Sequence, residues 1–465
     1  MSSSRYCTGA VSADRQTTTL YSGAIPDWHM TTLSNKKFHL AWFLNFITDD
    51  WQGTWGDGGR DWSGDFYVEM ARDLERACFD YVIIEDKLMV STAYGGTMEA
   101  DLKHGVNPKH DPVPLAVLMT QATERLGVVP TMSTSFYPPF LLARLCATID
   151  HIARGRFGWN IVTSAEDRAA QNFGMDRLYE HDERYAMATE YLDLVRQLWD
   201  SWEPDAVVRD QETGTYVDHT KVHVVDFVGK YYKSRGPLNT VRSPQGHPVL
   251  CQAGASAPGR EFAARYADTI VATGSNPTRM KAYRDDIRAK LVAHGRNPDD
   301  CKVLFLMSPV VADTVEEAHA KKLRWMSEPR YIEMVLATMS SITEIDFSRF
   351  DLDAPLPAVT TNGERGFLEA FARRAEGKTL RQAVIEDGMS GTADFVGTPE
   401  TVADRMAEIM EEVGGDGFLI TSPEKKLNRR YVTEITDGLV PALMRRGVVR
   451  TSYTHERFRD NLLEF

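Results

Sequence analysis

The sequence contains few cysteines and no apolar run long enough to cross a membrane. Its five cysteines are odd in number, widely spaced and without a CxxC pair, which argues against a disulfide framework or a zinc knuckle. No stretch of about 18 apolar residues occurs, and the N-terminus lacks the apolar core of a signal peptide. We therefore expect reduced, mostly buried thiols in a cytoplasmic protein. The cysteines are Cys7, Cys78, Cys146, Cys251 and Cys301.

Excess positive charge and several nucleotide and metal motifs are absent as well. The chain has 53 basic and 66 acidic residues, a net charge of -13, so a broad nucleic-acid surface is not expected. Neither HExxH nor an oxygen-rich calcium loop occurs, there is no Walker loop, and the turn after the first predicted strand lacks GxGxxG. These absences argue against a metal centre and against an open dinucleotide-binding sheet.

The composition of the 465 residues, 43% hydrophobic and 26% charged, is that of a globular protein with a substantial core. Eight predicted strands alternate with helices, and each strand runs into a loop and returns through a helix. This rhythm predicts a closed (β/α)8 TIM barrel, with an open doubly wound sheet as the structural alternative. The predicted strands are 38–45, 81–88, 127–134, 157–162, 247–254, 268–273, 302–311 and 417–421. The predicted helices are 65–79, 113–124, 141–153, a long helix opened by His181, 258–266, 278–294, 315–327, 399–413 and 428–446.

Four segments do not follow this rhythm. Residues 1–35, rich in Ser and Thr, predict a loose N-terminal arm, and residues 36–465 predict a single barrel domain. Three segments, at about 88–112, 203–246 and 328–397, are predicted to be insertions at the C-terminal face of the barrel. Long insertions in a barrel usually shape or cover an active site.

Polar residues stand where predicted strands end. The stretch FGWNIVTSAED from Phe157 to Asp167 begins as an apolar strand and turns polar at its exit, which carries Asn160, Thr163 and Ser164. Asp86 follows the apolar run of the second strand. Ligands of parallel α/β sheets bind at such exits, so these groups could converge on one polar heterocycle. The alternative is an ordinary buried strand whose polar end is merely solvated.

The sequence QAGAS at 252–256 predicts an anion site. It follows a strand and precedes a helix marked by Pro258, so Gly254, Ala255 and Ser256 would place free backbone N–H groups and a hydroxyl at a helix N-terminus. A phosphate at barrel strand exits is a recurrent arrangement. The alternative is that Ser256 simply caps the helix.

Several longer motifs resemble a known family. They are ATIDHIARGRFGWNIVTS at 147–164, NFG at 172–174, HDERY at 181–185, RSPQGHPVLCQAGAS at 242–256 and DGF at 416–418. In content and order they resemble the two-component flavin monooxygenases of the bacterial-luciferase-like superfamily. The sequence is most similar to the branch that contains nitrilotriacetate monooxygenase, dibenzothiophene-sulfone monooxygenase and the streptogramin synthase. The resemblance covers most of residues 38–455.

This resemblance implies a (β/α)8 barrel that binds reduced FMN (FMNH2) noncovalently at its C-terminal mouth. It also implies that a separate NAD(P)H-dependent flavin reductase supplies the FMNH2, that O2 is the co-substrate, and that the protein forms a homo-oligomer, a dimer or a tetramer. The residues implied to surround the isoalloxazine ring are Asp86, Ser133 or Thr134, Asn160 and Thr163. Those implied at the phosphate and ribityl end are Tyr185, Gly254, Ala255 and Ser256.

Aromatic residues and histidines are the candidates for the substrate cavity and for proton transfer. The resemblance implies a flavin peroxide, which a hydrophobic mouth would protect from water. We expect an apolar or aromatic substrate bearing sulfur, nitrogen or halogen, although the aromatic residues could equally be structural packing. The aromatic candidates are Trp42, Phe43, Trp55, Phe136 and Tyr137, with Trp51 and Trp62 nearby in sequence. The histidine candidates are His104, His110 and His181, since imidazole titrates nearest neutral pH.

Three function classes follow from this resemblance. The favoured class is an FMNH2-dependent monooxygenase. The alternatives are a luciferase-like oxidoreductase that uses a deazaflavin, and a nonenzymatic flavin-binding protein of the same fold. Fold alone does not determine the substrate.

Overall fold

Eight parallel strands form a closed barrel in the computed structural model, which describes residues 37–45, 62–387, 395–423, 426 and 428–465. The strands follow one another around the barrel in chain order, and the first pairs with both the second and the last. The predicted (β/α)8 class is confirmed. The barrel strands are β1 His39–Leu44, β2 Tyr81–Ile84, β3 Gly127–Ser133, β4 Gly158–Val162, β5 Val249–Ala253, β6 Thr269–Ala272, β7 Lys302–Met307 and β8 Gly417–Ile420.

Helices surround the barrel, and each predicted helix is present with boundaries that shift by a few residues. The predicted helix 428–446 is interrupted by a π-helical turn, Glu434–Leu439, which separates the α-helices Arg429–Thr433 and Val440–Arg445. The helices of the described residues are α1 Asp65–Arg76, α2 Glu99–His104, α3 Pro112–Ala122, α4 Pro139–Ile152, α5 Asp167–Asn172, α6 His181–Trp199, α7 Ala257–Tyr266, α8 Pro277–Ala293, α9 Val315–Met326, α10 Pro329–Thr343, α11 Arg365–Arg374, α12 Leu380–Asp387, α13 Pro399–Val413, α14 Arg429–Thr433, α15 Val440–Arg445 and α16 Phe458–Leu462.

The three predicted insertion segments contain secondary structure that the sequence did not indicate. Helix α2 lies in the first, and two antiparallel strand pairs lie in the second, Val207–Asp210 with Thr215–Val217 and Phe227–Val228 with Lys233–Ser234. Helices α10 to α12 lie in the third and share their own apolar cluster. Residues on every side of the C-terminal half of α10 are buried, so it has no polar face to produce a helical period.

One predicted strand is too long. The prediction ran from Lys302 to Val311, but β7 ends at Met307, and Val310–Val311 instead pairs with Val396–Gly397 outside the barrel. Pro309 lies at the break. Proline has no N–H group to donate to a neighbouring strand, which explains why the barrel ladder stops before it.

Alternation along the strands divides the core into two layers. Ala41, Ile83 and Val129 join an inner cluster with Phe458 of α16, while Trp42 and other alternate residues pack against the helices. Strand side chains alternate with a period of two. A Cβ on Gly158 would lie 2.9 Å from Val129 and 3.3 Å from Phe458, so Asn160, two residues further along β4, also faces the barrel interior.

Three aspartates at the N-terminal end of the barrel each accept a hydrogen bond from the backbone of a neighbouring strand. Asp80, Asp268 and Asp416 directly precede β2, β6 and β8. Their carboxylates accept the backbone N–H groups of Leu40 at 3.1 Å, Leu250 at 2.8 Å and Val303 at 3.0 Å, each at the start of the strand before it in the chain. This end of a TIM barrel serves stability.

Four of the cysteines are buried free thiols, as predicted: Cys78, Cys146, Cys251 and Cys301. Cys7 lies outside the described residues. Over the same described ranges, the structure has no helix that is both long and apolar enough to span a bilayer.

Candidate active site

A cavity of about 410 Å³ lies at the C-terminal end of the barrel. It is bordered by residues in or just beyond the barrel strands, which is where parallel barrels bind their ligands. Residues that represent the eight strands are Asn45 for β1, Asp86 for β2, Thr131 for β3, Asn160 for β4, Ala253 for β5, Thr273 for β6, Ser308 for β7 and Thr421 for β8.

The opposite wall of the cavity is largely apolar and comes from segments outside the barrel strands. Helix α9 contributes Trp325 and Met326, and helix α10 contributes Tyr331 and Ile342. Phe367 of α11 completes this wall. A pocket that combines apolar walls with a few convergent polar groups is typical of small-molecule sites.

Nine of the residues predicted from the sequence line this one cavity. They come from five separate parts of the chain, and the barrel brings them together because parallel strands end at the same edge. These residues are Phe43, Asp86, Asn160, Thr163, Ser164, His181, Tyr185, Ala255 and Ser256.

Three further candidates lie just behind the wall. Ser133 Oγ is 2.7 Å from Ser164 Oγ, and Ser164 lines the cavity. Thr134 donates its hydroxyl to the Val162 carbonyl at 3.3 Å. Gly254 accepts the Tyr283 hydroxyl at its carbonyl at 2.5 Å. These residues position the exits of β3, β4 and β5 and do not line the cavity.

The structure does not bring most of the aromatic candidates to the cavity. Trp42 alternates with Phe43 and therefore faces the helices, where its ring lies 5.7 Å from that of Tyr431. Phe136 stacks on Phe173 at 4.4 Å, and Tyr137 packs against the outer core and accepts the Tyr191 hydroxyl. Trp51 and Trp55 lie outside the described residues.

Two of the histidine candidates also lie away from the cavity lining. His104 is buried and its Nε2 is 2.8 Å from Glu333 Oε2, because α2 packs against α10. His110 makes an edge-to-face contact with Trp62 at 4.7 Å. Of the three, His181 alone is among the residues that border the cavity.

The turn before α7 forms one end of the cavity. Ser256 Oγ accepts the Gly259 N–H at 3.2 Å, so Ser256 caps the helix and borders the cavity at the same time. A Cβ on Gly259 would lie 2.8 Å from the Tyr185 hydroxyl, so only glycine allows this close approach. Partial positive charge at a helix N-terminus favours a bound anion.

Arg184 also lies at this end of the cavity, which is called the anion-binding corner. It was not among the residues predicted from the sequence. Its side chain is 3% exposed and lines the cavity. Nη1 donates to the Tyr179 carbonyl at 2.7 Å, whereas Nε has no hydrogen-bond partner among the described residues. The spacing His181, Arg184, Tyr185 places all three on one helix face, and this signal within HDERY could have identified it.

Three buried oxygens of residues that line the cavity also lack partners in the described structure: Asn160 Oδ1, Gln252 Oε1 and Ser422 Oγ. The Asn160 amide nitrogen donates to Thr131 Oγ1 at 2.8 Å, which leaves the carbonyl oxygen available to accept. An unpaired buried acceptor costs about 1–3 kcal/mol, so its presence in a cavity points to a ligand that donates a hydrogen bond.

The exit of β4 is held in an unusual backbone conformation. Ser164 has a φ of 58°, in the left-handed region that non-glycine residues rarely adopt. Ser135 Oγ donates to the Thr163 carbonyl at 2.8 Å, and together with the Ser133–Ser164 contact this ties the β3 exit to the β4 exit. Such strain persists where the surroundings enforce it, commonly at ligand sites.

A group of charged residues occupies the side of the cavity near β2. Lys87 forms a short ion pair with Glu166, and Lys109 Nζ lies 3.1 Å from Glu85 Oε2. Burial, with nearby Asp111 and Glu85, raises the pKa of Asp86 to about 6, although Lys109 opposes this. Asp86 is therefore a carboxyl that titrates close to neutral pH, as functional carboxyls often do.

Glu364 joins this group from the loop before α11. Its carboxylate lies 4.0 Å from Lys87 Nζ. The side chain lines the cavity and is 47% exposed. Partial burial and the carboxylates of Glu166 and Glu85 raise the pKa of Glu364, although Lys87 opposes this. The cavity thus contains two carboxyl groups whose charged forms are disfavoured.

Asp86→Asn is expected to stabilise the protein at alkaline pH. Since the pKa of Asp86 is raised from 3.8 to about 6 in the folded state, the folded state binds the proton more tightly and loses stability as pH rises through that window. The variant should gain up to about 2 kcal/mol at pH 8 and almost nothing near pH 4. Guanidinium denaturation at both pH values measures this, with exposed Asp313→Asn as the control. The same gain at both pH values would contradict the assignment.

Comparisons with known proteins agree with this geometry. The family model described as "Luciferase-like monooxygenase" matches residues 45–417. The chain is 36% identical over 442 residues to dibenzothiophene-sulfone monooxygenase of Rhodococcus erythropolis (strain XP), covering 92% of this chain and 96% of the relative. It is 35% identical over 448 residues to nitrilotriacetate monooxygenase component A of Aminobacter aminovorans, covering 92% and 97%.

A solved structure is similar over nearly the whole barrel. The crystal structure of riboflavin lyase with modified FMN and substrate riboflavin has a TM-score of 0.83 and 33% sequence identity. The match covers 92% of this chain and 96% of that one. The similarity therefore extends over the strands, the helices and the segments that enclose the cavity.

Proposed function

Because the chain belongs to the family of luciferase-like monooxygenases, we propose that it binds reduced FMN noncovalently in this cavity and oxygenates a small organic substrate with O2. One observation carries the proposal. The cavity has an anion-binding corner at α7 and Arg184 and, among its strand-exit residues, the unpaired acceptor Asn160 Oδ1. A mononucleotide of a polar heterocycle has groups that complement both.

The residues present fit FMN at each end. The amides at the start of α7, the Tyr185 hydroxyl and the Arg184 guanidinium would hold the phosphate, because all three donate hydrogen bonds to an oxyanion. Asn160 would accept a ring N–H, with Thr163 and Asp86 beside it. When bound, reduced flavin supplies the electrons that activate O2 for insertion into the substrate.

The chain's own residues supply orientation, proton handling and exclusion of water. His181 Nδ1 lies 2.8 Å from Asp182 Oδ1, which fixes the ring so that Nε2 is the atom available to exchange a proton at the cavity. Trp325, Met326 and Phe367 shield the site and provide the surface for an apolar or aromatic substrate. The carboxyl of Asp86 can hold a proton near neutral pH.

The partners follow from the same proposal. A separate NAD(P)H-dependent flavin reductase supplies FMNH2, which the family resemblance implies and which suits a sequence without a nicotinamide fingerprint. We further propose a cytoplasmic homo-oligomer and a substrate carrying sulfur, nitrogen or halogen. The names of the relatives, a sulfone monooxygenase and a nitrilotriacetate monooxygenase, support oxygenation of small organic molecules.

The proposal is tested by anaerobic titration with FMNH2 followed by rapid mixing with O2. Saturable binding is expected, followed by an oxygenated product from at least one member of a panel of aryl sulfides, sulfones and haloaromatics. Selective binding of a reduced deazaflavin in place of FMNH2 would favour the deazaflavin alternative. Tight FMNH2 binding without turnover across the panel would favour a nonenzymatic flavin-binding protein.

Asn160→Ala is expected to weaken FMNH2 binding by about 1–3 kcal/mol, in addition to the stability lost with the hydrogen bond from the Asn160 amide to Thr131 Oγ1. The substitution removes an acceptor that pairs with the cofactor but has no partner within the described protein. Isothermal titration calorimetry measures the affinity and guanidinium denaturation the stability, with exposed Asn172→Ala as the matched control. Unchanged affinity would remove Asn160 from the site.

A further inference from the structure

The 362–366 loop, with sequence NGERG, comprises the last three residues before α11 and the first two residues of that helix, and it packs tightly between α10 and the turn before α7. A Cβ on Gly363 would lie 2.8 Å from the Ile342 carbonyl, and a Cβ on Gly366 would lie 2.7 Å from Ala255 Cβ. Only glycine fits at either position without displacement of its neighbour. This close packing brings Glu364 and Arg365, the two residues between the glycines, to the cavity wall.

The two side chains approach opposite sides of the site. Glu364 lies 4.0 Å from Lys87, at the exit of β2. Arg365 is close enough to Asp182 and Arg184, near the start of α6, for its charge to lower the pKa of each, although hydrogen bonding and burial are the larger influences. The 362–366 loop therefore belongs to the third predicted insertion segment and contacts two parts of the cavity. Glu364 lies near Lys87 at the exit of β2, and Arg365 lies near Arg184 at the proposed anion site.

Arg365 forms no ion pair with a carboxylate in the described parts of the chain, although its charge acts on nearby Asp182. Its Nε donates to the Thr361 carbonyl at 3.1 Å. Arg184 also lacks an ion pair among the described residues, and its buried Nε is unpaired. Two guanidinium groups near one helix N-terminus repel each other, and a bound anion would reverse that unfavourable charge distribution.

We propose that Arg365 completes the phosphate site from the insertion side, so that the cofactor phosphate fastens the 362–366 loop over the barrel. This inference rests on the proposed function, because it assigns the anion as the FMN phosphate. A phosphate monoester carries a charge of about -1.5 to -2 at neutral pH, which matches two guanidinium groups. Arginine also presents paired donors that suit phosphate oxygens.

The competing explanation is that Arg365 is a solvated side chain whose charge acts on nearby Asp182 and Arg184 but which contacts no ligand. The two explanations differ in what the arginine recognises. A phosphate ligand makes Arg365 important for FMN and unimportant for riboflavin, which lacks the phosphate. A solvated side chain makes no distinction between the two flavins.

The test compares reduced FMN with reduced riboflavin by anaerobic titration of the wild type, Arg365→Gln and Arg373→Gln. Arg373 lies on the same helix, is exposed, and serves as the matched control. Arg365→Gln is expected to weaken FMN binding about tenfold and riboflavin binding less than twofold, while Arg373→Gln changes neither. Equal losses for both flavins, or no loss for FMN, would overturn the proposal.

Amide hydrogen exchange gives a second readout that does not depend on turnover. The amides of Glu364 and Arg365 donate to the carbonyls of Ile342 and Gly363, so fastening of the loop should slow their exchange. FMN should slow exchange in residues 362–366 of the wild type more than riboflavin does, and Arg365→Gln should abolish that difference. Equal protection by both flavins would contradict the fastened loop.

Failure of the proposed function is recognised separately. If the wild type bound neither flavin, the flavin assignment would be wrong, and the anion site would then be tested with inorganic phosphate by calorimetry. Weaker phosphate binding by Arg365→Gln than by Arg373→Gln would still support Arg365 as an anion ligand. Identical phosphate binding by the two variants would overturn that role as well.

Discussion

Replacement of Asp80 by alanine is expected to destabilise the protein by about 3 kcal/mol, because it leaves buried Arg450 with only the more exposed carboxylate of Glu464, 3.2 Å away, as its partner. Asp80 accepts Arg450 Nη2 at 2.7 Å and the Leu40 N–H at 3.1 Å. Arg450 is 3% exposed. Burial alone would raise the pKa of Asp80, but His39 and Arg450 together lower it, so its stabilising effect is present above pH 3.8 and is lost as pH falls through the folded-state pKa.

Urea denaturation at pH 7 measures the loss, and a surface pair provides the comparison. Asp437→Ala removes one of the two carboxylate partners of Arg76, where the side chains of Asp437 and Arg76 are 47% and 55% exposed and 2.6 Å apart. Such exposed pairs contribute about 0–1 kcal/mol. Equal losses in the two variants would show that Asp80 does not hold the N-terminal end of the barrel together.

Replacement of Arg184 by methionine is expected to reduce the affinity for FMNH2 about 100-fold, since a buried charge-assisted bond to phosphate is stronger than one made in solvent. Reduced riboflavin should bind almost as well as to the wild type. The effect should exceed that of Arg365→Gln because Arg184 is buried and Arg365 is exposed. Methionine keeps the length of the side chain without its charge, so the fold is expected to persist.

Anaerobic fluorescence titration with both flavins measures this difference, and Arg196→Met is the control on the exposed part of the same helix. A methionine at 196 should leave both affinities unchanged. If Arg184→Met weakened FMN and riboflavin equally, Arg184 would support the packing of α6 and would not be a phosphate ligand.

The barrel was predictable because its signals are local. Strands such as Tyr81–Ile84 are short apolar runs, and α13 is introduced by Thr398, whose hydroxyl accepts the Thr401 N–H. Helix α10 was missed because its environment, not its own pattern, determines it: residues all around its C-terminal half are buried against other insertion helices. Tertiary packing of this kind leaves no periodic signal in the sequence.

The polar side of the cavity was predictable for a topological reason. Asp86 and Asn160 end different strands, and parallel strands place their ends at one edge. The apolar wall was not, since Trp325 and Phe367 reach the cavity from α9 and α11, far along the chain from the first strand. Trp42 does not border the cavity, because alternation along β1 turns its side chain outward while that of Phe43 turns inward.

Arg184 and Arg365 differ in whether the sequence could have identified them as site residues. Arg184 could have been found, since its spacing from His181 and Tyr185 places it on the same helix face. Arg365 could not, because its approach to α7 depends on the path of the insertion and on two close glycine contacts.

The most direct test of the proposed FMN site is a crystal structure of the protein soaked anaerobically with FMNH2. We predict phosphate oxygens within hydrogen-bond distance of the Ser256 amide and the Arg184 guanidinium, with a ring N–H directed at Asn160 Oδ1. A flavin bound elsewhere, or bound with its phosphate away from α7, would contradict the proposed site.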